Sequence, residues 1–293
     1  MSDLETRPVS ARFDTEIAGV SLAVEAEVNY LTPTTQKPVN YTFKPPPDVP
    51  SRSGTPEPHR VLIRNARALA TQPSLDVQGF AVIPHTTSVR HFYDEAEVRA
   101  LYYPEVEELL NGATGAAKVH IFDHTLRAAS REQRAATGVR EPVRYVHNDY
   151  TVTSGRRRVT DLLDAEEAAG RLRGRHAVIN VWRPIHRAVE EAPLAVCDAR
   201  SIAPHDLVPT DLIYRDRIGE VYSVTYNPAH RWFYYPAMSP DEALLIKTYD
   251  SSEDGRARFT AHTAFTDPRT APGAAARESI EVRALVFFRP PIE

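Results

Sequence analysis

Cysteine occurs once, at Cys197. A lone thiol makes no internal disulfide, which excludes a disulfide-stapled secreted scaffold and fits a reducing compartment. Long apolar runs are missing too. No stretch nears the roughly 20 residues a membrane span needs, and the opening MSDLETRPVSARFDTE lacks the apolar core of a secretory signal. A cytoplasmic protein with no membrane partner is expected. Lysine is scarce, four residues against 31 arginines, a bias of GC-rich bacterial coding that is silent about chemistry. There is no GxGxxG, no GxxxxGK[ST], no cysteine pair, no HEXXH and no Gly-x-Ser-x-Gly. Dinucleotide, P-loop, cysteine-zinc, zincin and nucleophile-elbow chemistries are therefore unsupported. The net charge of −4 over 293 residues is mild, so nucleic acid is not an expected partner.

What remains is ordinary globular material, 42% apolar and 25% charged, long enough to bury a core unaided. No solenoid-length repeat occurs. Residues 42–59, TFKPPPDVPSRSGTPEPH, read as an extended, proline-rich connector. One domain over 1–293 is expected, with an N-terminal arm (1–60) ending in that connector and a strand-rich core over 140–290. A helix is expected over residues 95–110, where Val98, Leu101, Val106, Leu109 and Leu110 form a stripe. A second is expected over 159–172, and a short third from Ser239, where Ser-Pro-Asp-Glu is a capping box. The other segments after residue 141 are short and strand-like: RYVHNDYTVT, HAVINVWRP, EVYSVTYN, ALLIKTYD, RFTAHTAF and SIEVRALVFF. Many short strands with intervening loops predict a mainly β sandwich or barrel with flanking α-helices.

His147-Asn148-Asp149 is the first chemical candidate. On a strand, residues two apart share a face, so an imidazole and a carboxylate can fill neighbouring positions on one metal. A second histidine would complete a two-histidine, one-carboxylate facial triad of the non-haem iron(II) type. Spacing alone decides nothing, since chance predicts about 1.5 His-x-Asp/Glu triplets at this composition. The surroundings add weight. VHNDYTVT, read as a strand, aligns His147, Asp149, Thr151 and Thr153 on one polar face, costly in a buried strand unless used. RESIEVRALVFF similarly aligns Arg277, Ser279, Glu281 and Arg283 against Ile280, Val282, Ala284 and Val286. An arginine there suits the distal carboxylate of 2-oxoglutarate through two parallel charge-assisted hydrogen bonds, with a hydroxyl adding another. The third ligand is His230, in YNPAHRWFYYP, or His262, in RFTAHTAFTDP. His262 stands 15 residues before Arg277, suiting consecutive strands, whereas aromatic neighbours and prolines suit His230 to a pocket wall. His120 and His124 read as core or pocket-lining residues, and Cys197 as a small buried hydrophobe.

These residues sit in a chain-long resemblance carried by YYPEVEELLNGATGA (102–116), FDHTLR (122–127), VHNDYT (146–151) and NVWRPI (180–185). It continues through PLAVCDARS (193–201), YNPAHRWFYYPAMSPDEALLIKTYDS (226–251), and HTAFTDP with RESIEVRALVF (262–287). The chain resembles the CmcJ/NvfI-type oxidoreductases, related to the small subunit of the bacterial cephem 7-methoxylase and to fungal hydroxylase/desaturases of secondary metabolism. The resemblance implies a double-stranded β-helix (jelly-roll, cupin-like) oxygenase dependent on Fe(II) and 2-oxoglutarate. It implies His147, Asp149 and His262 as ligands, and Arg277 or Arg283 for the co-substrate, Arg277 with Ser279 being preferred. The expected reaction is oxidation of an unactivated C–H bond of a small molecule (hydroxylation, desaturation or cyclisation), with O2 consumed and succinate and CO2 released. Asn180, Trp182, Arg183, His230, Trp232 and Tyr234 are the expected substrate walls. The alternative is a non-catalytic substrate-binding subunit working with a methyltransferase; a partner enzyme or a homo-oligomer is the expected assembly.

Overall fold

The structure, a computed structural model, describes residues 16–17 and 20–289. Its strands in chain order are β1 (Glu16–Ile17), β2 (Val20–Ser21), β3 (Ala23–Leu31), β4 (Val39–Tyr41), β5 (Pro56–Asn65), β6 (Phe80–Pro84), β7 (Lys118–Ala128) and β8 (His147–Asn148). They continue as β9 (His176–Pro184), β10 (Leu194–Cys197), β11 (Leu207–Ile213), β12 (Ile218–Val224), β13 (Trp232–Tyr234), β14 (Glu242–Asp250), β15 (His262–Ala264) and β16 (Glu278–Phe287). One sheet runs β3-β5-β13-β10-β15-β8-β12-β11-β4 and another β6-β14-β9-β16-β7. Side chains of both sheets, among them Val196, Phe233, Trp182 and Leu244, meet in one buried cluster, so the sheets face each other across a shared interior. This is the mainly β jelly-roll arrangement expected from the sequence. Strands β3 and β5 belong to the first sheet, and the last four residues of the proline-rich stretch are already paired strand.

The outer face of the five-stranded sheet is covered by helix. α1 (Glu95–Glu97) continues through a wider turn (Val98–Tyr102) into α2 (Tyr103–Thr114). Asp94 caps its start by accepting from the Ala96 and Glu97 N–H groups, and Gly115, at φ 66°, ends it in the left-handed region. Val98, Tyr102, Val106 and Leu110 are buried against Ile179, Val181, Ile280, Val282 and Ala284. Each such side chain contributes roughly 1.5–3 kcal/mol by leaving water. β9 is buried along its whole length because helix covers one face and the interior the other.

Three local expectations are corrected. The strand carrying His147 ends at Asn148, and Thr151 caps α4 (Val152–Leu162) instead of continuing a polar face. Its hydroxyl accepts from the Ser154 N–H while the Ser154 hydroxyl accepts from the Thr151 N–H, a reciprocal box that turns the chain into helix. Second, the helix expected over 159–172 is two helices, α4 and α5 (Ala165–Arg171), because Asp164 starts afresh by capping Glu167. Third, Ser239 begins a single turn. The Glu242 carboxylate accepts from the Ser239 N–H as a capping box would, but the apolar run from Ala243 enters β14 between two neighbours. Sheet pairing outweighs the local helical signal.

Candidate metal centre and adjoining cleft

The two-residue strand β8 lies between β12 and β15, and in its register His147 faces His262 directly. Cross-strand partners hold their Cβ atoms about 4.5–5.5 Å apart, and the imidazole centroids stand 4.4 Å apart. Asn148, fully buried, points the other way. Its amide donates to the Tyr150 and Thr248 carbonyls at 2.7 and 2.8 Å and its oxygen accepts from the Thr260 N–H at 3.0 Å. These bonds tie β8 to β14 and to the approach of His262, leaving Asp149 to turn back towards the histidines.

Each ligand candidate is oriented by a second contact. His147 Nδ1 donates to the Tyr145 carbonyl at 2.8 Å, and His262 Nδ1 to the Thr260 carbonyl at 3.0 Å. A carbonyl only accepts, so both Nδ1 atoms carry the proton, and in the neutral ring the Nε2 lone pair is the one turned to a metal. Asp149 Oδ1 lies 3.4 Å from His147 Nε2 and 3.9 Å from His262 Nε2. Asp149 Oδ2 is held from behind by Asn180 Nδ2 at 2.7 Å and Arg283 Nε at 3.1 Å. The three donor atoms lie within 4.8 Å of one another. Burial raises the Asp149 carboxyl, but opposing contacts led by the Arg283 guanidinium outweigh it and hold the group well below the usual carboxylate range. Burial, reinforced by His147, pushes the His262 imidazole down, the direction that favours its metal-binding neutral form. Two imidazole Nε2 atoms and one carboxylate on one side of a partly buried point fit the facial triad of non-haem iron.

The polar face of β16 enters the same interior. Arg277, Ser279, Glu281 and Arg283 line a recess with the triad, Trp182 and Arg127. The two arginines differ. Arg283 reaches Asp149, Asp123 and Thr125 at 3.1 Å each and also binds Glu281. Arg277 is buried, donates to the Ala192 carbonyl and lies 5.4 Å from the Trp182 ring. Its Nε has no partner, and no carboxylate among the described residues is within ion-pair distance. Burial, with Arg127 and Arg144 nearby, pushes it down to about 9. A cation so placed is short of one counter-charge.

A second, larger cavity of about 660 Å³ opens from His147 and Asp149. It is walled by β7, α4, the β11–β12 hairpin, Tyr41 and the segment leading into β8.

Of the six expected wall residues, Asn180 and Trp182 are beside the triad. The other four lie elsewhere. Arg183 points to the opposite face of β9, where it meets His85 and packs near Phe92 and Tyr102. His230 is tied to Asp206 and stacked on Tyr30, and Trp232 donates to the same Tyr30 hydroxyl within a separate core. Tyr234 packs on Phe265 and accepts from Arg269. Alternation along β9 separates Arg183 from Asn180 and Trp182, and the aromatic run around His230 serves packing. Of the three other residues singled out, His124 lines the larger cavity, His120 is half-buried on β7, and Cys197 is buried with its thiol pushed up to about 12 by burial. Asn148, Arg127 and Glu281 were not foreseen as site residues. A buried polar residue between two ligand candidates was the available signal for Asn148.

Comparison with known proteins agrees with this geometry. The family described as "Oxidoreductase/YMDC permease-like domain" matches residues 28–287; no helix among the described residues is long and apolar enough to cross a membrane. The chain is similar to the hydroxylase/desaturase efuI of Hormonema carpetanum, 36% identical over 251 residues, 78% of this chain and 83% of that one. It is likewise similar to the Fe(II)/2-oxoglutarate-dependent dioxygenase nvfI of Aspergillus novofumigatus, 32% identical over 273 residues, 90% of this chain and 96% of that one. A solved structure titled iron and alpha-ketoglutarate-dependent endoperoxidase NvfI superposes with a TM-score of 0.82 at 28% identity, covering 92% of this chain and 99% of that one.

Proposed function

The chain belongs to this oxidoreductase family, whose members include Fe(II)/2-oxoglutarate-dependent dioxygenases and hydroxylase/desaturases, and on that premise we propose how its own residues serve the reaction. It is a non-haem iron, 2-oxoglutarate-dependent oxygenase. His147, Asp149 and His262 hold the metal through Nε2, Oδ1 and Nε2. Asn180 and Arg283 keep the carboxylate turned towards the histidines. Arg277, with Ser279 beside it, takes the distal carboxylate of 2-oxoglutarate, because Arg283 already spends its donors on protein oxygens. Held there, ferrous iron would activate O2, the four-electron oxidant, with two electrons drawn from 2-oxoglutarate as it becomes succinate and CO2 and two from an unactivated C–H bond of the substrate. The larger cavity admits a small secondary metabolite to the exposed side of His147 and Asp149, while Trp182 and Leu194 close the recess behind them. Strands from both ends of the chain build the same two sheets, supporting one oxygenase domain over 1–293. The single buried thiol supports a cytoplasmic setting.

The observation that carries this reading is the convergence of an oriented His-Asp-His set with a buried, carboxylate-free arginine in one recess. The test is succinate formation from 2-oxoglutarate by iron-loaded protein in air. Succinate that requires iron and disappears in His262→Ala is expected. No iron-dependent succinate with any small-molecule acceptor would favour the alternative, a substrate-presenting subunit for a methyltransferase.

A further inference from the structure

The cleft beside the triad runs against the charge of the rest of the chain. The protein carries 35 basic and 39 acidic residues, yet seven arginines and only four carboxylates line the cavity. All four carboxylates are engaged. Asp123 and Asp149 meet Arg283, Asp161 lies 3.8–3.9 Å from Arg157 and Arg158, and Glu220 binds Lys37 at 2.7 Å. Four arginines, Arg52, Arg127, Arg140 and Arg217, have no carboxylate within ion-pair distance among the described residues. Of these, Arg127 donates to the Glu141 carbonyl at 2.8 Å and Arg217 lies over the Tyr214 ring, which leaves Arg52 and Arg140 for a ligand.

The two differ in exposure: Arg140 is exposed at the cavity mouth and needs no counter-ion in the free protein, whereas Arg52 is half-buried. Its guanidinium stands 3.9 Å above the ring of Tyr145, whose carbonyl orients His147. Burial pushes its pKa down, which marks a cation short of a partner. Arg140 pairs by backbone with Arg127 and starts the segment that runs through Val143 and Tyr145 to His147. Tyr41, Tyr145, Tyr150 and Tyr214 add flat apolar faces to the same walls.

Resting on the oxygenase reading of this cleft, we propose that the substrate is a small ring-bearing organic acid, its acidic group held by Arg52 and Arg140 and its ring laid against the tyrosines. The acid places the reacting carbon; it takes no part in the oxidation. Electrostatic attraction of this kind raises both selectivity and encounter rate.

The test is calorimetric titration, under anaerobic conditions, of iron-loaded protein in excess 2-oxoglutarate with 2-naphthoate and with neutral, nearly isosteric 2-naphthamide. The acid is expected to bind at least about tenfold more tightly, with the preference falling as salt rises. Arg52→Gln and Arg140→Gln are each expected to weaken the acid about tenfold and leave the amide unchanged. Equal affinity for acid and amide, or no acid binding at millimolar concentration, overturns the proposal. So does acid binding that survives both substitutions, which would be coordination to the metal alone, or a loss suffered equally by both ligands, which would be a scaffold effect. No turnover is read, so failure of the oxygenase reading appears separately as absent succinate formation.

Discussion

Replacing Arg277 by methionine keeps most of the side chain's bulk beside Trp182 and removes its charge. Burial that lowers a guanidinium from 12.5 to about 9 corresponds to roughly 5 kcal/mol of uncompensated cost. A carboxylate arriving on that guanidinium recovers a comparable amount. Two charge-assisted hydrogen bonds at about 1.5–3 kcal/mol each give the same scale. Wild-type protein should therefore prefer 2-oxoglutarate over 2-oxobutanoate, which lacks the distal carboxylate, by a factor of roughly 10² to 10⁴. The Arg277→Met protein should bind both alike, at the wild-type level for 2-oxobutanoate. Anaerobic calorimetry on manganese-loaded protein measures both affinities without turnover. Thermal unfolding of the ligand-free variant should not be lowered, because the residue removed is a buried cation with no carboxylate partner. A variant that keeps the preference would refute the assignment, and loss of preference in Arg283→Met with Arg277 intact would move the role to Arg283.

Asn180→Ala removes the 2.7 Å donor behind Asp149 Oδ2 and should weaken metal binding about 10–100-fold; a metal-binding titration with unchanged affinity would show that Arg283 alone positions the carboxylate. Asp250, fully buried between Lys247 and Arg175 at 2.9 and 2.7 Å, should cost up to about 3 kcal/mol when changed to Asn, because two cations lose their buried carboxylate and keep only the more exposed Asp76. Burial raises the Asp250 carboxyl, but the Arg175 hydrogen bonds and Lys247 lower it below its ordinary 3.8. Its contribution is therefore complete above that value and is lost as pH falls through the depressed folded-state value. Wild-type stability should fall over that acid range more steeply than that of Asp250→Asn, and parallel pH profiles of thermal unfolding would contradict this.

Local pattern carried much of the architecture. Alternation in SIEVRA announced one polar and one apolar face, and β16 puts Ile280 and Val282 under α2 and Ser279 and Glu281 into the recess. Alternation misled in VHNDYTVT, because the reciprocal bonds of Thr151 and Ser154 compete with strand geometry and start α4. It misled again at Ser239, where capping chemistry was present but sheet pairing decided the outcome.

His147-x-Asp149, the arginine-bearing strand and the absence of other cofactor motifs were readable from residue order, because side-chain periodicity and motif spacing are properties of neighbouring residues. The partner of His147 was not. His230 and His262 were both available, and the register of β8 against β15 brings His262 to the triad while Asp206 and Tyr30 hold His230 in another core. Whether Arg277 or Arg283 is free for a co-substrate was equally invisible, since it depends on where Asp123, Asp149 and Glu281 fall around each guanidinium. Register between distant strands and the charge around a buried group come from packing the whole chain, and no window of sequence contains them.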